Sequence, residues 1–248
     1  MSINDKKEML TNNPPIRIES LEKGFGEYPI LRDIDLTVEW GELLVVFGAN
    51  GSGKTTLLKL LSTQYRPDKG EIWIGGIPRS KNTLNIRKII GVVGHQPMLY
   101  EDLTCQENLR FFGQMHQVTC LSQRIDHVLS GIDLEGQRYQ KVRTLSHGMQ
   151  KRLSIGRAIL HDPPILLMDE PESGLDQDPL EGMSALVRWR SNCDRTIVMT
   201  THNVDFGLSW AKEVAVLSEG RIVYKAHRKD INEAAFKESY LRWKKVAG

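Results

Sequence analysis

The sequence predicts an α/β fold built on a mostly parallel sheet, with a phosphate-binding loop at the carboxyl end of one strand. The apolar run Leu43-Leu44-Val45-Val46-Phe47 has the length and composition of a strand buried on both faces. The glycine-rich segment Gly48-Ala49-Asn50-Gly51-Ser52-Gly53-Lys54-Thr55-Thr56 follows at once, and Leu57, Leu58, Lys59, Leu60 and Leu61 supply helix formers behind it. A second apolar run, Ile165-Leu166-Leu167-Met168, ends in Asp169-Glu170-Pro171. A further strand, Thr196 to Thr201, ends at His202, as expected of parallel strands that present their carboxyl ends to a ligand.

Each element follows from local pattern. Residues 1–15 are polar and close on Pro14-Pro15, which reads as a flexible lead. Ile16 to Glu39 carries the short strands of an N-terminal antiparallel β layer, with Trp40-Gly41-Glu42 as the turn into the phosphate-loop strand. Glu71 to Ile74 and Ile89 to Val93 add strands. A mostly α-helical subdomain is expected at about 97–145, its first helix opened by the capping box Thr104-x-x-Glu107 ahead of Leu109, Phe111 and Phe112. The core resumes with the helix behind Ser146, and Asp178-Pro179 starts another, proline suiting a first helical turn. Residues 16–225 thus read as one domain without an internal repeat. Residues 226–248 read as a C-terminal helix that packs Ile231, Ala234, Ala235, Phe236 and Tyr240 on the core and solvates Lys237, Arg242, Lys244 and Lys245.

Composition narrows the function classes. The 248 residues are 40% hydrophobic, enough to bury a full core. A net charge of +2 from 33 basic and 31 acidic residues creates no global field to hold nucleic acid. Cys105, Cys120 and Cys193 are scattered without metal spacing, as expected of reduced thiols. No apolar stretch approaches membrane-spanning length, and the start lacks a signal-peptide core.

The loop's chemistry follows from its residue types. Between a strand and a helix, successive backbone N–H groups and the positive helix end converge on phosphate, and glycines let the backbone approach. Lys54 is then placed for the β and γ phosphates and Thr55 for Mg²⁺, which is the pattern of a P-loop nucleoside triphosphatase core. Asp169 is placed to hold Mg²⁺ through water and Glu170 to orient or deprotonate the attacking water. His202 is placed to hydrogen-bond the γ-phosphate. His95 is the other histidine expected near the site.

Leu145-Ser146-His147-Gly148-Met149-Gln150-Lys151-Arg152-Leu153 resembles the signature motif of the ATP-binding cassette (ABC) ATPases, and the other motifs match that family in order. Gln96 resembles the Q-loop glutamine, a further Mg²⁺ contact; Ser173-Gly174-Leu175-Asp176 resembles the D-loop, and His202 the switch histidine. The resemblance covers about residues 16–225 and implies the ABC ATPase fold, ATP and Mg²⁺ as ligands, and head-to-tail pairing with a second cassette, expected to be an identical copy. It also implies that Ser146 and Gly148, with Asp176, contact the nucleotide bound to the partner. The chain departs from the family's usual Leu-Ser-Gly-Gly-Gln at His147 and Met149. For the adenine, Phe25 has the expected spacing and Tyr28 competes for the same role.

Two function classes follow: a transporter motor with separate membrane subunits, or a soluble ABC ATPase. The chain has none of the long insertions, zinc modules or second cassette that usually mark the soluble class. Met98, Leu99, Tyr100 and Leu103 either form a groove for a membrane-subunit helix or pack the helical insert. Gly94-His95-Gln96-Pro97 with Leu103-Thr104 and Glu107 to Phe112 resembles the ATP-binding subunit of the haem exporter of cytochrome c biogenesis. Other exporter motors, for drugs, lipids or polysaccharides, share much of that pattern. The expected location is cytoplasmic, peripheral on the inner face of the cell membrane.

Overall fold

The strand Leu43–Phe47 (β3) lies at the heart of the molecule with all its residues buried. Its side chains alternate between two cores, as the period of a strand requires. Val45 and Phe47 enter a core shared with the helical subdomain and the C-terminal helix. Leu44 and Val46 enter one shared with the phosphate-loop helix and the N-terminal strands. Burial on both faces is why this segment reads as a continuous apolar run.

The computed structural model describes residues 13–173, 184–188 and 195–246. Two strands precede β3, Ile16–Phe25 (β1) and Tyr28–Val38 (β2); Lys69–Ile74 (β4), Ile77–Pro78 (β5), Ile90–Val93 (β6), Ile165–Asp169 (β7), Thr196–Thr201 (β8), Glu213–Ser218 (β9) and Arg221–His227 (β10) follow it. They form an antiparallel sheet in the order β2-β1-β4-β5 and a six-stranded sheet in the order β10-β9-β3-β8-β7-β6. In the larger sheet every pair is parallel except β9 with β10. The fold is therefore the predicted α/β class, with an N-terminal antiparallel layer on a mostly parallel core.

The helix Lys54–Leu61 (α1) follows the phosphate loop. Thr83–Ile89 (α2) ends at Ile89, so that residue closes a helix instead of opening the expected strand, which starts at Ile90. The predicted helical insert contains Cys105–Met115 (α3) and Leu121–Gly131 (α4). Both halves of the capping box form: the Glu107 N–H donates to Thr104 Oγ1 at 3.2 Å and the Thr104 N–H to Glu107 Oε2 at 2.8 Å. The signature segment opens His147–Ile159 (α5). Short Ser184–Arg188 (α6), Val204–Trp210 (α7) and the C-terminal Glu233–Val246 (α8) complete the described helices. The start at Asp178 lies outside the described residues, as does Cys193.

The expected helix from residue 226 is corrected. Residues 226–227 still belong to β10, and α8 begins after Asn232, whose side chain accepts the Ala235 N–H at 3.1 Å as a cap. Phe236 and Tyr240 are buried as predicted, with Ile231 just before the helix, but Ala234 and Ala235 face solvent. One turn cannot bury three consecutive positions, and the bulkier ring wins the core-facing place.

The helical subdomain is fastened to the core through partly buried cations. Arg157 on α5 donates to the Val92 carbonyl at 2.6 Å and lies 5.1 Å over the Phe112 ring. Arg124 on α4 donates to the Ile159 and Leu160 carbonyls at 2.8 and 2.9 Å. Beside them His116 and His161 stack with centroids 3.8 Å apart, and His161 Nε2 meets the Ile90 carbonyl at 3.1 Å. Burial, seconded by His116, pulls the His161 pKa from 6.5 to about 3. An unfolded chain therefore takes up a proton below pH 6.5 that native His161 refuses, so stability is complete above that pH and drains as pH falls toward 3. At pH 5 the loss from this group is on the order of 2 kcal/mol. The melting temperature should fall between pH 7 and pH 5, with a shallower decline in His161→Gln; parallel declines would refute this role for His161.

Candidate functional site

The phosphate loop leaves β3 where its geometry requires glycine. A Cβ on Gly48 would overlap Ser52 Oγ and the Leu217 carbonyl, so the chain turns tightly there. Gly51 and Gly53 have φ of 80° and 105°, a left-handed region that other residues enter only under strain. Gly53 caps α1 without a side-chain hydrogen bond, leaving the first helical amides available to an anion. Ser52 is buried and its hydroxyl has no partner among the described residues.

Lys54 is only 5% exposed. Its ammonium donates to the Gly48 and Ala49 carbonyls at 2.8 and 3.1 Å and stands 3.6 Å from Glu170 Oε1. Burial lowers its pKa, while the charges of Glu170 and Asp169 act the other way. Those carboxylates arrive on β7, which pairs in parallel with β8 so that Asp169 faces Thr200. The Thr200 hydroxyl donates to Asp169 Oδ1 at 2.7 Å.

Glu170 adopts φ 44°, costing on the order of 1 kcal/mol for a residue with a Cβ. Hydrogen bonds of its backbone hold it there: its N–H donates to the Thr200 carbonyl at 3.1 Å and hydroxyl at 3.3 Å, and its own carbonyl accepts from Lys151 Nζ at 3.2 Å and the Ser173 N–H at 3.1 Å. The side chain thereby meets His202, with Nδ1 3.2 Å from Glu170 Oε1. His202 is half exposed at the end of β8.

A cavity of about 820 Å³ joins these parts. Asn50, Gly51, Gly53, Lys54, Thr55, Thr56, Gln96, Asp169 and Glu170 all line it, as does His95. Gly48, Ser52 and His202 do not line it, although Gly48 accepts from Lys54 and His202 meets Glu170, both of which do. Phe25 and Tyr28 do not line it. Phe25 is exposed, edge-on to Tyr65 at 5.4 Å with Lys23 Nζ 5.3 Å over its ring, and Tyr28 is more exposed still. Ser146 and Gly148 also stand apart from it, at the start of α5. The Ser146 hydroxyl, expected to face a phosphate, accepts the Met149 N–H at 3.3 Å as the cap of its own helix. Asp176 lies outside the described residues.

Sequence reasoning missed Thr200, Lys151 and Glu172. Lys151 is 2% exposed, and Nζ reaches the Gly94 carbonyl at 3.4 Å as well as Glu170. The signal for Lys151 was present: it lies four and eight residues ahead of Ile155 and Ile159, on the buried stripe of α5. The Thr200 contact depends on strand register, which the sequence does not carry.

A loop of amides and a lysine facing a carboxylate–imidazole contact across one cavity defines a nucleoside triphosphatase. The family model described as ABC transporter matches residues 31–173. The linearmycin resistance ATP-binding protein LnrL of Bacillus subtilis is 30% identical over 210 residues, 84% of this chain and 68% of the relative. The Nod factor export ATP-binding protein I of Burkholderia lata is 34% identical over 209 residues, 84% of this chain and 69% of the relative. A dimeric ATP-binding cassette in a post-hydrolysis state, bound to ADP and Pi, superposes with a TM-score of 0.80 at 25% identity, covering 87% of this chain and all of that one. The chain belongs to the ABC transporter family, and it is an ATPase cassette of that family.

Proposed function

We propose that this chain is the motor of an exporter: it hydrolyses ATP in a pair of cassettes and works beneath separate membrane subunits on the cytoplasmic face. The contact of His202 with Glu170, which lines one cavity with the phosphate loop, carries the hydrolytic part. The names of the relatives support export, and the dimeric neighbour supports pairing. No described helix is long and apolar enough to cross a membrane.

In this reading Lys54 leaves the loop carbonyls for the β and γ phosphates, a short swing for a side chain already aimed along the loop. Glu170 takes the proton of the attacking water as it moves in line with the γ-phosphate, and His202 steadies that geometry. The signature end of a second cassette, Ser146 and Gly148, closes the site and supplies α5's positive end to the γ-phosphate. Asp169, Thr55 and Gln96 offer hard oxygen donors that suit Mg²⁺. No cluster of three or more acidic, histidine or cysteine side chains among the described residues would hold an ion alone, so phosphate oxygens and water would complete its shell. The ion would neutralise charge on the phosphates.

Phe25 is the adenine platform in this scheme. Phe25→Ala should raise the ATP dissociation constant about three- to tenfold with turnover at saturation retained. Unchanged affinity, or the same loss in Tyr28→Ala alone, would move the role away from Phe25.

Coupling to the membrane runs through the surface beyond Gln96. Met98 and Tyr100 are about half exposed there, and Tyr100 packs edge-on to Phe111 at 4.9 Å. Asn108 fixes this segment, accepting the Tyr100 N–H at 2.8 Å and donating to its carbonyl at 3.0 Å. Leu99 packs inward against the core. For the cargo, neither relative quoted above is named for haem, and the reading favoured is export of another small molecule. Purification from native membranes tests both levels: co-purifying multi-spanning subunits support the motor, a haem absorption band would restore the haem reading, and soluble partners alone would overturn export.

A further inference from the structure

Glu172 is a carboxyl that the hydrolytic scheme leaves unused. Pro171 and Glu172 form the centre of a turn closed by the Ser173 N–H on the Glu170 carbonyl at 3.1 Å. From that turn the Glu172 side chain points back to β8, where the Thr201 hydroxyl donates to its Oε1. The same Thr201 oxygen accepts the Asn203 N–H at 2.9 Å. His202 therefore sits between two residues tied to one hydroxyl, and that hydroxyl is tied to the loop carrying Glu170. The other carboxyl oxygen, Oε2, is buried with no hydrogen-bond partner among the described residues.

A buried carboxyl with one oxygen unpaired is a costly residue to keep for packing alone. Burial raises its pKa, and the Thr201 bond only partly opposes that. Lys151 and Lys54 are the cations whose fields reach it, and Glu170 and His202 also act on it.

We propose that Glu172 is a positioning residue for hydrolysis: through Thr201 it fastens the loop of Glu170 to the loop of His202, so that the two side chains meet at a fixed separation. The proposal rests on the reading of Glu170 and His202 as the hydrolytic pair. A neutral Gln keeps an oxygen for the Thr201 hydroxyl to donate to, whereas Ala removes the acceptor and Val at 201 removes the donor.

The test is steady-state ATP hydrolysis and equilibrium ATP binding for Glu172→Ala, Glu172→Gln and Thr201→Val, with Glu170→Gln measured alongside. Glu172→Ala and Thr201→Val should each lower kcat about tenfold or more while the ATP dissociation constant stays within about twofold. Glu172→Gln should stay within about threefold of the parent, and the Ala/Val double variant should be no worse than the weaker single one. A purely structural residue would instead lower the melting temperature and leave kcat per folded molecule unchanged. Thr201→Val, nearly isosteric, keeps the test decisive if Glu172→Ala does not fold. Turnover within twofold of the parent in Thr201→Val, or a Glu172→Gln as slow as Glu172→Ala, would overturn the proposal, provided Glu170→Gln is inactive. If Glu170→Gln turns over normally, the hydrolytic reading itself has failed.

Discussion

Glu170→Gln should bind ATP as the parent does and hydrolyse it about a hundred- to ten-thousandfold more slowly, the contribution expected of a positioned general base. The substitution keeps shape and removes only the capacity to take a proton. Glu170 is held in a left-handed conformation by hydrogen bonds of its backbone with Thr200, Ser173 and Lys151, an arrangement worth its strain only if the side chain's direction matters. That direction brings it to 3.2 Å from His202. The measurement is phosphate release at saturating ATP beside nucleotide affinity; loss of binding along with turnover would mean that Glu170 serves the fold of the loop, and retained turnover would remove it from the chemistry.

Lys54→Ala should show the opposite split, with ATP affinity falling about ten- to a hundredfold as a charged partner of the phosphates is lost. The same change strips a buried cation from Glu170 and Asp169, whose charges oppose the burial-driven lowering of the Lys54 pKa. Titration calorimetry with ATP reads the effect directly. Affinity equal to the parent's would mean that Lys54 stays on the Gly48 and Ala49 carbonyls when nucleotide binds, contrary to the role assigned to it.

The parts legible in the sequence are those fixed by local pattern. Strand β3 and the Ile165 to Met168 part of β7 are continuous apolar runs because both their faces are buried, and the phosphate loop declares itself through glycines that the backbone geometry requires. The Thr104 capping box formed as predicted because a cap is decided within four residues. What escaped depends on register and tertiary packing. Thr200 reaches Asp169 only because β7 and β8 pair as they do, and Glu172 reaches Thr201 only across a turn. Lys151 was hidden by its charge, although its helical position marked it as buried. The start of α8 was missed because β10 runs on through Ala226 and His227.

The helical subdomain links the site to its surroundings. Lys151 joins the signature helix to the Gly94 carbonyl ahead of Gln96 and to Glu170, so one side chain touches the signature helix, the Q-loop and the hydrolytic turn. On the proposed reading, movement of α5 on closure of a cassette pair would be felt at all of them and carried to the surface of Met98 and Tyr100.

Light scattering of Glu170→Gln with and without ATP tests the central claim, hydrolysis in a site completed by a second cassette, most directly. The mass should double on adding ATP and stay that of one chain when Ser146→Arg is combined with Glu170→Gln. A monomer at every ATP concentration, in a variant shown to bind ATP, would contradict it.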